Sequence, residues 1–258
     1  MERKVLDLVA QTIDWLEKPQ RGGRGRPRTP TVDVLRTLES FIRGGPQWDD
    51  LTAAPGRACG STLRRRLAQW SVQAVLARAH RVLVRMARSG PDAAARAWDV
   101  VVDSCSVRAK RGGDLTGPNP TDRGKSGTKY HLVVSTDGLP VAALPSAANV
   151  PDTALFAALL QRALVACVAI AKLYADAGYD SRANRGLCLR DGIQPLIRNI
   201  GSPHGSGLGR VRSVIERVNE RLLRYKRLDR RQDRSADIIG SFLTSVCIFL
   251  LAEDIAEF

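Results

Sequence analysis

Histidine is scarce in this chain and cysteine is scattered. The three histidines stand apart, and the five cysteines, Cys59, Cys105, Cys167, Cys188 and Cys247, are odd in number and never spaced C-x-x-C. Neither a zinc site nor a disulfide framework is therefore expected. Residues 1–20 carry acidic and polar side chains throughout, which leaves no room for the apolar segment of a signal peptide. The longest apolar stretch, Ile238 to Ala252, is too short to cross a bilayer and reads as a buried C-terminal helix. A cytoplasmic, reducing setting with no membrane partner is the expectation.

Acidic side chains are also in deficit. Forty Lys plus Arg face 26 Asp plus Glu, a formal charge of +14, and Arg dominates the basic set. Guanidinium binds phosphate in a bidentate fork, so an Arg-rich excess suits a nucleic-acid backbone; the bland alternative is the Arg-rich codon usage of a GC-rich genome. With 258 residues and 44% hydrophobic side chains, the chain can bury one large core or two ordinary ones.

Two textures divide the sequence. Up to about residue 95, apolar residues recur at three- and four-residue intervals in VLDLVAQTIDWLEK, VDVLRTLESFIRG, STLRRRLAQWS and QAVLARAHRVLVRMARSG, which predicts helices. RGGRGRPRTP, residues 21–30, interrupts them as a basic linker or arm. From Trp98 the runs WDVVVDSCSVRA, KYHLVVSTDG, LPVAALPSA and VAIAKLYAD predict a sheet of at least four strands. Helical patterns at DTALFAALLQRALVAC, SRANRGLCLRDG and RVRSVIERVNERLLRYKRL surround it. The fold class is thus α/β behind an all-α N-terminal part, with RGGDLTGPNPTDRGKSGTK as a long polar loop between the first two strands.

Three carboxylates stand out. Asp103 interrupts the apolar run VVVDSCSV, where a half-buried charge costs several kcal/mol unless it is compensated. Asp176 ends the fourth strand just before a glycine turn, at the kind of edge where open α/β sheets place their sites. Glu216 sits beside the apolar face Val211, Val214, Ile215, Val218, Leu222 and Tyr225 of a late helix. Such hard oxygen ligands suit Mg²⁺ or Mn²⁺, and two such ions would favour phosphodiester chemistry. Each has an ordinary reading too: Asp103 paired with Arg108, Asp176 in a turn, Glu216 on a solvated face. Asp99, Asp180 and Glu220 are rivals at similar places.

The segments VVDSCSVRAKRGG, GPNPTDRGKSGTKYHLVVSTDGLPV, SAANVPDT, ADAGYDS and PHGSGLGRVRSVIERVNERLLRYKRL, in this order, resemble the DDE transposases of bacterial insertion sequences, in the branch similar to insertion sequence 5. The resemblance implies a ribonuclease-H-like catalytic domain over residues 96–258, a mixed central sheet flanked by helices. GRPRTPTVDVLRTLESFIRGGPQWDDL and STLRRRLAQW resemble the family's helix-turn-helix-like DNA-binding segment, which makes residues 1–95 a helical DNA-binding domain. By this resemblance Asp103, Asp176 and Glu216 are the catalytic, metal-binding triad, holding two Mg²⁺ or Mn²⁺ ions. Arg212, Arg217 and Arg224 contact DNA, as do Lys125 and Lys129 in the glycine loop; Arg64, Arg65 and Arg66 do so from a helix start. Asn149 and Asp152 serve either as support for the triad or as a helix cap, and Trp48 and Trp70 belong to the core. Ala177 stands where relatives often carry Lys. The implied protein binds terminal inverted repeats and target DNA as a homodimer, associated with the bacterial nucleoid, and cuts and joins strands. A nuclease or resolvase of the same fold, and a catalytically inactive DNA-binding remnant, remain the alternatives.

Overall fold

The computed structural model describes residues 1–18, 27–88, 97–167, 169–201 and 209–256. Residues 21–26 of the basic arm, the expected boundary at residue 95 and the PHGSG segment lie outside this set. Helices α1 (Arg3–Leu16), α2 (Thr31–Gly44), α3 (Gly60–Val72) and α4 (Val75–Met86) form where the 3.6-residue periodicity predicts them. Strands β1 (Trp98–Arg108), β2 (Gly117–Pro118), β3 (Ser126–Ser135) and β4 (Pro140–Ala147) follow, then α5 (Asp152–Ala166), β5 (Ile170–Ala175), α6 (Arg182–Arg190) and β6 (Gln194–Ile197). The chain ends in α7 (Gly209–Leu223), α8 (Lys226–Asp229) and α9 (Ala236–Ala256).

One mixed sheet results. β4, β3 and β1 pair antiparallel, and β5 and β6 add to β1 in parallel, giving the order β4-β3-β1-β5-β6. Short β2 pairs with the first residues of β3, in line with β4. This mixed sheet with helices around it is ribonuclease-H-like. Residue 117 on β2 is glycine, and a β-carbon there would run into the Asn149 carboxamide as it stands. Asn149 thus packs on β2.

The late helical pattern is not continuous. It breaks between α7 and α8, where Tyr225 turns inward and its hydroxyl accepts a hydrogen bond from Arg43 at 2.8 Å. The apolar C-terminal segment is longer than the sequence pattern marks: α9 has 21 residues and is long and apolar enough, by length and composition, to cross a membrane. Here it is a core helix, with twelve of its residues buried against α1, α3, α4 and β4. Because α9 is apolar nearly all round, it joins the N-terminal helices and the sheet into one hydrophobic core. Further contacts tie the two halves. Trp48 Nε1 donates to Asp233 (2.9 Å), His80 Nε2 to the Pro140 carbonyl (2.9 Å), and Arg227 to the Pro46 carbonyl.

α3 begins with Cys59 as its N-cap residue, and the Ser61 and Thr62 hydroxyls lie 3.2 and 3.3 Å from its Sγ. These contacts stabilise the thiolate and bring Cys59 down to about 7. Burial instead pushes Cys105, Cys167 and Cys247 up to about 12 and Cys188 up to about 11. Iodoacetamide at neutral pH is therefore expected to label Cys59 selectively. Its rate should rise through pH about 7, and Ser61→Ala should move that midpoint upward; peptide mass mapping reads both.

Candidate active site

The parallel pairing of β1 with β5 sets Val102 opposite Ala175, so the next residues, Asp103 within β1 and Asp176 directly after β5, lie side by side. Asp103 Oδ1 accepts the Ser104 N–H at 2.8 Å, and Asp176 Oδ1 accepts the Gly178 N–H at 2.9 Å. Among the described residues no ion pair compensates either carboxylate. Arg108 does not serve Asp103; it grips Asp122 through two hydrogen bonds of 2.6 and 3.0 Å. The rivals are satisfied elsewhere: Asp99 faces Lys172 at 3.8 Å, and Asp180 pairs with Arg185 at 2.8 Å.

Asp103 is pushed up to about 6, chiefly by burial. The charges of Asp176 and Asp152 push the same way, against the Ser104 N–H and the charge of Arg212. A cleft of about 1000 Å³ opens above the two aspartates. Asp103, Asp152, Asp176, Ser104 and Lys129 line its acidic side, and Lys110, Arg111 and Arg230 its rim. A negative floor within a basic rim is what a phosphodiester with associated cations requires. The donor set, hard carboxylate oxygens with uncompensated charge, fits divalent cations such as Mg²⁺ or Mn²⁺.

The remaining expected residues fall in different places. α7 packs on β1 and β3, and its Val211, Arg212 and Ile215 close a small cavity with Asp103 and Asp176. Glu216 follows Ile215 on the exposed side of α7, one turn after Arg212, and Arg217 and Arg224 are exposed as well. As they stand, no three Asp, Glu, His or Cys side chains among the described residues are close enough to share one ion. Lys125 is exposed on the loop before β3. Lys129 lines the cleft, its Nζ 2.9 Å from Asp152 Oδ1 and 3.0 Å from the Val150 carbonyl.

The three arginines of α3 lie in its second turn rather than at its start, so the helix dipole adds little there. Arg64 and Arg65 are exposed, Arg64 over the Trp48 ring at 4.7 Å. Arg66 is only 3% exposed; it stacks over Trp70, faces Glu17 at 3.4 Å and donates to Thr31 at 2.8 Å. Its guanidinium is thus committed to Glu17, Thr31 and the indole, contacts that hold α3 against the neighbouring helices. Trp70 is fully buried, and Trp48 is half-buried against Phe41. Lys110, Arg111 and Arg230 were not singled out from the sequence; their signal is a Lys-Arg or Arg-Arg pair within two residues of an element end.

Residues 95–251 match the family described as the transposase DDE domain. A relative named "Putative transposase for insertion sequence element IS402", from Burkholderia cepacia, is 38% identical over 181 residues, spanning 64% of this chain and 81% of that protein.

Proposed function

This chain belongs to the DDE transposases of bacterial insertion sequences, and from that premise we propose that it binds the terminal inverted repeats of its element and catalyses metal-dependent strand cleavage and strand transfer at Asp103, Asp176 and Glu216. The observation that carries this reading is the pair of uncompensated carboxylates on adjacent parallel strands, Asp103 and Asp176, at the floor of a cleft with a basic rim. Glu216, on α7 one turn after Arg212, is the third carboxylate of this reading.

The chain's own residues bind and orient. Asp103 and Asp176 hold the cations, with Glu216 as the third ligand. Arg212, Arg217 and Arg224 engage the phosphates beside the scissile bond, and Lys110, Arg111, Lys125 and Arg230 hold the strand along the rim. Two bound divalent ions would supply activation of the attacking oxygen and stabilisation of the leaving one. In cleavage, water adds to the end phosphodiester and a 3′ hydroxyl leaves. In transfer, that hydroxyl attacks a target phosphodiester and displaces the target's own 3′ hydroxyl. Holding two element ends requires two copies, so a homodimer on DNA is part of the proposal.

Strand joining separates this reading from a nuclease of the same fold. Incubating the protein with labelled terminal-repeat duplex, target plasmid and Mg²⁺ is expected to yield joined products; nicks without joining would overturn the transfer step.

The α3 arginines divide by exposure. Arg64→Ala and Arg65→Ala are each expected to reduce the salt dependence of repeat binding by about one released counterion. Arg66→Ala should leave that slope alone and cost about 1–3 kcal/mol of stability, because Thr31 and Glu17 each lose a buried partner while Arg28 and Trp70 still hold Glu17. Fluorescence anisotropy across a salt series and thermal melts check both.

A further inference from the structure

The basic rim of the cleft is built from two segments that are far apart in sequence and meet backbone to backbone. The loop after β1, residues 109–116, carries Lys110 and Arg111, and the segment between α8 and α9, residues 230–235, carries Arg230. The Asp114 N–H donates to the Arg234 carbonyl at 2.8 Å, and Asp114 Oδ2 accepts the Ala236 N–H at 3.0 Å, at the start of α9. Gly113 has φ +93°, and a β-carbon there would stand 2.6 Å from the Arg234 carbonyl oxygen, so the approach leaves no room for a side chain.

Arg231 fastens this contact from inside. It is 2% exposed, and both ends of its guanidinium fork bond to the opposite loop. Nη1 donates to the Gly112 carbonyl at 2.9 Å and to Thr116 Oγ1 at 3.0 Å. Nη2 donates to the same two oxygens at 3.2 and 2.7 Å, and to the Asp114 carbonyl. All three acceptors are neutral. The acids whose charge reaches Arg231 are committed elsewhere, Asp114 to the start of α9 and Asp233 to Arg227 at 3.1 Å and Trp48 at 2.9 Å. Stability alone favours an uncharged side chain at such a buried place. What a planar fork adds is one fixed geometry across two loops.

We infer that Arg231 is a positioning residue for DNA binding, whose fork holds Lys110 and Arg111 on one loop and Arg230 on the other in a single arrangement for phosphate contact. The inference rests on the reading of the cleft as the place where DNA is held. Arg231 acts through its neighbours, because its Nη1 and Nη2 donors are spent on the loop. The three rim cations are exposed and sit on irregular backbone, so without the fork each side of the rim would move independently.

The test is a double-mutant cycle on binding of the full chain to a labelled terminal-repeat duplex in EDTA, read by fluorescence anisotropy, with circular dichroism to check folding. Arg231→Lys keeps the charge and loses the fork, and is expected to weaken binding about tenfold, the size of one lost charge-assisted hydrogen bond. In a chain already carrying Lys110→Ala, Arg111→Ala and Arg230→Ala it should weaken binding no further, because nothing is left to position. Thr116→Val removes only the hydroxyl acceptor of the fork. It should show the same pattern at about two- to threefold, whether or not Arg231→Lys folds. Equal losses in both backgrounds would mean that Arg231 supports the fold and not the rim, and would overturn the inference, as would wild-type affinity of both single variants. Wild-type affinity of the triple variant would overturn the reading of the rim as a DNA contact, and the inference with it.

Discussion

Asp103→Asn is expected to reduce DNA cleavage by roughly 10³-fold or more and, in the presence of a chelator, to make the protein more stable. The first effect follows from removing a carboxylate that holds a cation whose stabilisation of the transition state is worth several kcal/mol, about a factor of ten for each 1.4 kcal/mol. The second follows from the surroundings of the same side chain. Asp103 is largely buried, faces Asp176 and Asp152, and receives one backbone N–H. Replacing the charge with an isosteric amide removes both the desolvation cost and the repulsion, a gain on the order of 1 kcal/mol, or roughly 2–4 °C in melting temperature. A structural aspartate would show the opposite pattern, losing stability with its charge. The pair of measurements, single-turnover cleavage and a thermal melt in EDTA, therefore separates a functional carboxylate from a structural one.

Phe242→Ala is the substitution with the largest expected effect on stability. Phe242 is 1% exposed on α9, with its ring 6.0 Å from Phe41 and 6.1 Å from Trp48. Emptying that volume should cost about 3–5 kcal/mol, since the surrounding helices cannot close fully around the cavity. That corresponds to a fall of about 10 °C in a chain of this size. Because α9 links the N-terminal helices to the sheet in one core, calorimetry should show a single transition that moves as a whole. Two transitions, only one of them shifted, would mean that the N-terminal helices melt as a separate domain.

Much of this architecture is legible in the sequence, and the physical reasons are specific. Asp103 and Asp176 stand out because a lone charge within or just after an apolar strand is costly unless compensated, and the β1 to β5 pairing then brings the two together. The helical texture before residue 95 and the buried character of the C-terminal segment follow from periodicity and uniform apolarity. β6 was not legible: it has four residues, includes Pro195, and forms the edge of the sheet, so it gives neither alternation nor length. The break after α7 was hidden because Tyr225 continues the apolar stripe through it.

Arg66 shows a signal that was present and missed. Leu63, Arg66, Leu67 and Trp70 follow i, i+3, i+4, i+7 spacing, so the stripe that buries Trp70 carries Arg66 inward, while Arg64 and Arg65 point out. A run of three arginines conceals that difference unless the helix is laid out by angle. Asp152 was ambiguous for another reason. A carboxylate at a helix start is an ordinary cap, and only the side-chain geometry shows its Oδ1 bonded to Ser104 and Lys129 instead.

The measurement that tests the account most directly is nicking of an end-labelled duplex carrying the element's terminal repeat, with Mg²⁺ or EDTA, by the wild type and by Asp103→Asn, Asp176→Asn and Glu216→Gln. The account predicts a Mg²⁺-dependent nick at the repeat end with the wild type and none with the three variants, all four proteins binding the repeat alike. Cleavage by the variants at the wild-type rate, or a wild type that binds the repeat and leaves it intact, would contradict it.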